Sequence, residues 1–297
     1  MKARIYMLQC LCIFLLLFLS QSLFAQSKIS PDNPLYPKYK EKIWRDYIQK
    51  ERQKTDDFIY PNFLKFKPDT LVPPPYFKAC KEFIPIDSTY SVVPFLAGVL
   101  GPPPFYRNDD ASTAKITIPF DFCFYGTPYH ELYINNNGNV SFDGPHPDYR
   151  PDSLPVNDFR AVAAFWADID TRNFSSGVVY YKITAHYLII TWDKVGYYNA
   201  HADKKNTFQM ILSDGLDSTY VSKGKNIGFR YDMMEWTTGD IGGSNGFSLN
   251  TSHATVGANK SDSVNFVQFG RFGIPGISYD GPYAGTDGVS WLNGRVL

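Results

Sequence analysis

The sequence predicts an all-β protein: an antiparallel β-sandwich-like domain behind an N-terminal helical and proline-rich extension. Three observations carry that prediction. "KITIPFDFCFYG" (residues 115–126) alternates strictly, with Ile116, Ile118, Phe120, Phe122 and Phe124 on one face and Thr117, Asp121 and Cys123 on the other. "LYINNNGNVSF" (132–142) sets asparagines and a glycine, residues that tolerate positive φ, between two short apolar runs. From about residue 86 onward, short runs of this kind recur between turn residues, and aromatics make up 16% of the chain.

The elements follow in chain order. Lys2 and Arg4 precede an apolar run over residues 5–19, and Leu23-Phe24-Ala25 stands before Gln26; residues 1–25 therefore read as a secretory signal peptide. Cys10 and Cys12 lie inside the apolar run rather than after it, which argues against a lipoprotein anchor. Residues 26–85 form the extension. Tyr36, Tyr39, Ile43, Tyr47 and Ile48 fall at helical spacing amid charge of both signs, which predicts one amphipathic helix. "FKPDTLVPPPYFKAC" and "LAGVLGPPPFYRNDD" supply proline-rich connectors. Residues 86–297 form the β domain.

Within that domain the first hairpin has a definite register. A three-residue loop, Asn136-Asn137-Gly138, sets Leu132 opposite Phe142 and Ile134 opposite Val140. Tyr133, Asn135, Asn139 and Ser141 then share the other face, expected to be wet. A slip of one residue would turn the apolar side chains to water, so this register should hold, with Gly138 at positive φ. "AVAAFWADID" is apolar on both faces, as a central strand should be. "GVVYYKI" and "HYLIITWDKV" pair around Thr184-Ala185, so that Val179, Tyr181 and Ile183 share a face with Leu188, Ile190 and Trp192. "NTFQMILSD", "NIGFRYDM" and "VNFVQFG" supply three further strands.

Composition narrows function. Formal charge is 0 and falls to −2 when Lys2 and Arg4 leave with residues 1–25. That gives no electrostatic case for nucleic acid or an anionic membrane, and no later run is long enough for a spanning helix. Two cysteines remain after export, Cys80 and Cys123. In an oxidising compartment they are expected to pair, closing a loop whose constraint stabilises by ~4 kcal/mol; two independent thiols are the alternative.

"LYINNNGNVSF", "AAFWADIDTR", "NTFQMIL" and "NGFSLN" occur in the order found in the nidogen-like extracellular domain, NIDO, and residues 86–297 resemble that family. The resemblance suggests a bacterial secreted member. It implies an extracellular β-rich module linked to cell–matrix adhesion, with no enzymatic role and no cofactor. Residues 26–79 share no such likeness.

Candidate chemistry is sparse. "GGSNG" matches a nucleophile-elbow spelling at Ser244, with His253 downstream, but that motif needs a strand-to-helix turn and a glycine-rich turn explains the same letters. Asp168 and Asp170 alternate at a strand end; they suit part of a Ca²⁺ site, or a loop cap in which they bridge to Arg172, and the second reading is preferred. His130, His146, His186, His201 and His253 are scattered without zinc-ligand spacing. Asn173, Asn250 and Asn259 begin glycosylation sequons. "VGYYNAHADKKN" reads as a long polar connection in which Tyr197 and Tyr198 are candidate binding residues. The expected function is a secreted, non-catalytic adhesion module whose partner is an extracellular matrix or cell-surface protein or glycan. The alternatives are a carbohydrate-active or esterase-type hydrolase using Asp168/Asp170 or Ser244, and a structural subunit of a surface assembly docked through the N-terminal helix.

Overall fold

Strict alternation in the sequence becomes two packed sheets in the structure. A computed structural model describes residues 83–98, 104–249 and 252–297; the expected signal peptide, the expected helix and Cys80 lie outside the described residues. One sheet runs β1 (Ser91–Val92), β7 (Val179–Ile183), β8 (Tyr187–Tyr197), β9 (His201–Ser213) and β10 (Ile227–Tyr231), with β6 (Ile169–Asp170) also pairing with β8. The other runs β15 (Asp287–Gly288), β14 (Phe266–Ile274), β13 (Ala254–Asn259), β5 (Ala161–Trp166), β4 (Asn139–Ser141), β3 (Thr127–Asn135) and β2 (Ile116–Phe124). Pairings within both sheets are antiparallel except β14 with β15. A small hairpin, β11 (Gly243–Ser244) with β12 (Phe247–Ser248), stands apart.

Facing side chains interdigitate between the sheets. Phe165 of β5 lies 5.5 Å from Phe208 of β9, and Trp192 of β8 stacks on Phe208 at 4.9 Å. Each such aromatic or aliphatic group removed from water contributes about 1.5–3 kcal/mol. Strand β2 shows the expected alternation: Ile118, Phe120, Phe122 and Phe124 are buried while Thr117, Asp121 and Cys123 are exposed. Strand β5 is buried on both faces between β4 and β13. The β7–β8 hairpin pairs Val179 with Trp192, Tyr181 with Ile190 and Ile183 with Leu188, the expected facing set. Ahead of β1, Ile84 packs on Tyr187, Ile189, Ile211 and Val221 across the outer side of the first sheet.

The β3–β4 hairpin has the expected register, Ile134 opposite Val140 and Asn135 opposite Asn139, with Gly138 at φ 79°. Its polar face is not wet. Asn135 and Asn139 are wholly buried and Ser141 nearly so. The segment after β4 folds back over them: the His146 backbone N–H donates to Asn135 Oδ1 (3.0 Å), and Ser141 Oγ donates to the Gly144 carbonyl (2.5 Å). Asn135 Nδ2 in turn reaches Asn139 Oδ1 at 2.7 Å and Ser141 Oγ at 3.0 Å. Burial without loss of hydrogen bonds is what allows polar groups to occupy this layer.

Glycine is required at 138 on two counts. A Cβ there would stand 1.8 Å from the Phe165 carbonyl oxygen, and φ is positive. Gly138→Ala should therefore destabilise the domain by clearly more than the ~1 kcal/mol that positive φ alone costs. Urea denaturation of the two proteins measures the difference, and a loss of under ~1 kcal/mol would show that the loop relaxes without consequence.

Candidate functional site

The chain between β8 and β9 is shorter than its letters suggest. Strand β8 continues through Tyr197 and β9 begins at His201, which pairs with Tyr197 and leaves only residues 198–200 as a turn. Tyr197 is 1% exposed: its ring stacks on His201 and Trp236, and its hydroxyl donates to Asp203 at 2.9 Å. Tyr198 is 5% exposed beneath the Arg172 guanidinium. Neither ring offers contact area to a partner, because both fill space under a hairpin rather than cap a loop. The expectation of a tyrosine binding loop is corrected accordingly.

Cys123 is exposed on the outer face of β2 and has no disulfide partner among the described residues, and its carbonyl accepts a hydrogen bond from the Asn226 side chain. Beside it opens an apolar cleft of about 270 Å³ lined by Phe124, Tyr125, Ile227, Phe229, Phe269 and Leu297. Ser244 sits in the β11–β12 hairpin, a strand–turn–strand unit and not the strand-to-helix turn of a nucleophile elbow. His253 approaches Ser248 instead (Nδ1 to Oγ, 3.2 Å).

Asp168 and Asp170 part company. Asp170 is fully buried and forks onto Arg172, with Oδ2 at 2.6 Å from Nη2, as the loop-cap reading expects. Asp168 instead gathers with Asp109 and Asp110, three carboxylates whose ligand oxygens lie within 4.8 Å of one another. The bridge between Asp109 and Asp170 lays residues 108–111 alongside 168–171 and so makes that group. The adjacent acids in "RNDDAST" were the one sequence signal for it, and nothing in one sequence pairs them with a residue some sixty positions later.

Just ahead of that group, Arg107 builds a surface feature that sequence reading also missed. Its Nη1 donates to the carbonyls of Thr171 (2.9 Å), Asn173 (3.0 Å) and Ser176 (2.8 Å). Asn173 Nδ2 donates to the Ala200 carbonyl at 2.8 Å, holding the same loop from the other side. The loop presents Phe174, 72% exposed, with the Arg107 guanidinium 5.7 Å from its ring centre. An aromatic ring held out by a fastened loop is preorganised for contact.

Residues 88–272 match the family described as NIDO related, more than half of the chain. Alpha-tectorin of Homo sapiens is 30% identical over 208 residues, covering 58% of this chain and 9% of that protein. Nidogen of Drosophila melanogaster is 26% identical over 221 residues, covering 62% of this chain and 16% of that protein. Dendrite extension defective protein 1 of Caenorhabditis elegans is 29% identical over 198 residues, 58% of this chain and 15% of its own length. The chain thus spans only a small part of these curated relatives. All three are animal proteins and lend no support to a bacterial source. No solved structure matches.

The His253 ring gives a pH test of how this region packs. Burial, with Arg271 nearby, pushes its pKa down to about 4. As pH falls from about 6.5 toward 4, the unfolded chain gains a proton that the folded imidazole refuses, so stability falls by roughly 3 kcal/mol over that window and is intact above it. His253→Gln should remove this component of the slope when urea midpoints are compared at about pH 7 and about pH 4.5. An unchanged slope would place the imidazole in water.

Proposed function

Because the chain belongs to the NIDO-related family, we propose that it is an extracellular, non-catalytic attachment module. Its surface contact is made through the Phe174 loop. The single observation behind the choice of surface is the combination of high exposure and fixed position: Phe174 is 72% exposed while three carbonyls of its loop are held by one arginine side chain. An exposed ring in a mobile loop would lose conformational freedom on binding; a ring already held loses little. Arginine and aromatic residues together are the side chains most often found to dominate binding energy at protein interfaces.

Support for an extracellular setting comes from the nidogen-like resemblance and from the expected signal peptide. Among the described residues no helix is long and apolar enough to cross a membrane. The partner on this reading is an extracellular matrix or cell-surface protein or glycan.

Binding of the mature chain to arrayed matrix proteins and glycans tests the proposal. Phe174→Ala should leave the unfolding midpoint unchanged, since the ring packs on little, and should weaken attachment at least tenfold, about 1.4 kcal/mol. Attachment of normal strength by a folded Phe174→Ala protein would remove this loop from the contact. Turnover of a polysaccharide or ester by the purified protein would contradict the non-catalytic reading itself.

A further inference from the structure

We propose that the apolar cleft beside Cys123 is the seat of this chain's own segment 76–80, "YFKAC", with Cys80 bonded to Cys123 and the Tyr76 and Phe77 rings lodged in the cleft. For an oxidising setting the proposal rests on the extracellular reading above, and it does not depend on the choice of the Phe174 loop.

The direction of the chain is the first observation. Ile84 is clipped to β9, its N–H donating to Gln209 Oε1 (3.0 Å) and its carbonyl accepting from Gln209 Nε2 (2.7 Å). From there the chain crosses the outer side of the first sheet. Asp87 meets Lys182 of β7 at 3.7 Å, Tyr90 lies under the same lysine, and Ser91 pairs with Tyr181 as the edge strand β1. A segment that leaves β9 toward β1 enters from the opposite edge, which is β10. At that edge the Asn226 side chain is bonded to the Cys123 carbonyl. Gln209 pairs with Arg230, four positions after Asn226 in β10, which puts Asn226 about 14 Å from the Ile84 clip by ordinary strand spacings. The four residues from Ile84 back to Cys80 span up to about 14 Å, and bridged Cα atoms stand roughly 4.4–6.8 Å apart. The tether reaches Cys123 when extended.

The cleft is the second observation. Its volume is about 270 Å³, and Phe124, Ile227, Phe229, Phe269 and Leu297 make its walls apolar, with Cys123 also among the lining residues. A dry cavity of about 150 Å³ takes one benzene ring, so this one suits about two side-chain rings. Small-molecule sites run from about 300 Å³ upward and carry several convergent polar groups, which these walls do not offer. Tyr76 and Phe77 are adjacent aromatics three and four positions before Cys80. Covering the walls with them removes apolar surface from water on both sides of the contact.

Bridge formation balances with a small disulfide as oxidant. The two thiols give up two protons and two electrons, one S–S bond forms, and the oxidant's S–S bond breaks to leave two thiols.

The test treats the purified, reduced mature chain with glutathione disulfide and then denatures it in iodoacetamide. No alkylated cysteine is expected, peptide mapping should link residues 80 and 123, and the protein should remain monomeric. In native Cys80→Ala protein the exposed Cys123 should instead be alkylated. Occupancy of the cleft is read separately. Bridged protein carrying Tyr76→Ser and Phe77→Ser should take up at least about fivefold more of the dye ANS, which binds uncovered apolar surface, than bridged wild type. Should Cys80→Ala fail to fold, the thiol count and peptide map of the wild-type chain decide the bridge. Two alkylated thiols, glutathione retained on either cysteine, a dimer joined through Cys123, an unreactive Cys123 in folded Cys80→Ala protein, or equal dye uptake would each overturn the proposal. Because glutathione disulfide supplies the oxidant, failure to pair counts against the bridge and leaves the extracellular reading standing.

Discussion

Four asparagines in a row of five residues must all find hydrogen-bond partners out of water, and the rest of the domain is arranged around that constraint. The hairpin tip meets it by reaching into both sheets at once. In its own sheet, the Gly138 carbonyl accepts from Ala164 and Phe165 at 3.1 Å each. Toward the other sheet, Asn137 Oδ1 accepts from the Ile169 N–H (3.0 Å), Asn136 Nδ2 donates to the Ile169 carbonyl, and the Asn136 carbonyl accepts from Trp192 Nε1 (2.9 Å). Hydrophobic packing brings two sheets together without fixing how far one slides on the other. Directional bonds from one buried tip fix it, because any slide strands several polar groups at once.

Residues 107–113 join this tip to the surface. Arg107 fastens the Phe174 loop, Asp109 and Asp110 form the acidic group with Asp168, and the Ala111 carbonyl accepts from Asn136. Ser112 Oγ then donates to Asn135 Oδ1 at 2.6 Å, and Thr113 Oγ1 accepts from the Ile134 N–H at 3.0 Å. A fastened surface loop, a group of three carboxylates and a sheet junction thus share one short stretch of chain. Binding energy gained at any of the three would stabilise the same local arrangement.

What the sequence revealed depended on whether one periodicity decided the matter. In β2 the alternation names the buried face outright, and in β5 a run without polar residues can only be central. The hairpin register followed because Ile134 and Val140 must face the same core. The polar face of that hairpin was misread because alternation says nothing about what lies above the second face. The covering segment, with His146 stacked on Phe159 at 3.7 Å, comes from the chain after β4 and carries no periodic mark. Tyr197 was misread for a related reason: "HADKK" looks like a loop, yet it opens the thirteen-residue strand β9 near an edge where polar side chains reach water. Asp168 and Asp170 are equivalent by spacing and separated only by tertiary partners, Arg172 for one and Asp109 and Asp110 for the other.

The claim that the asparagine tip locks the sheets together is tested most directly at the Trp192 indole proton, which lies on the bond between them. Its hydrogen exchange can be followed by NMR in increasing sub-denaturing urea. If the bond opens only when the whole domain unfolds, the opening free energy will equal the global value and fall with urea at the global slope. Exchange governed by a small, urea-independent opening would show that the sheets separate locally at the tip, and the tip would then be a consequence of the packing and not its constraint.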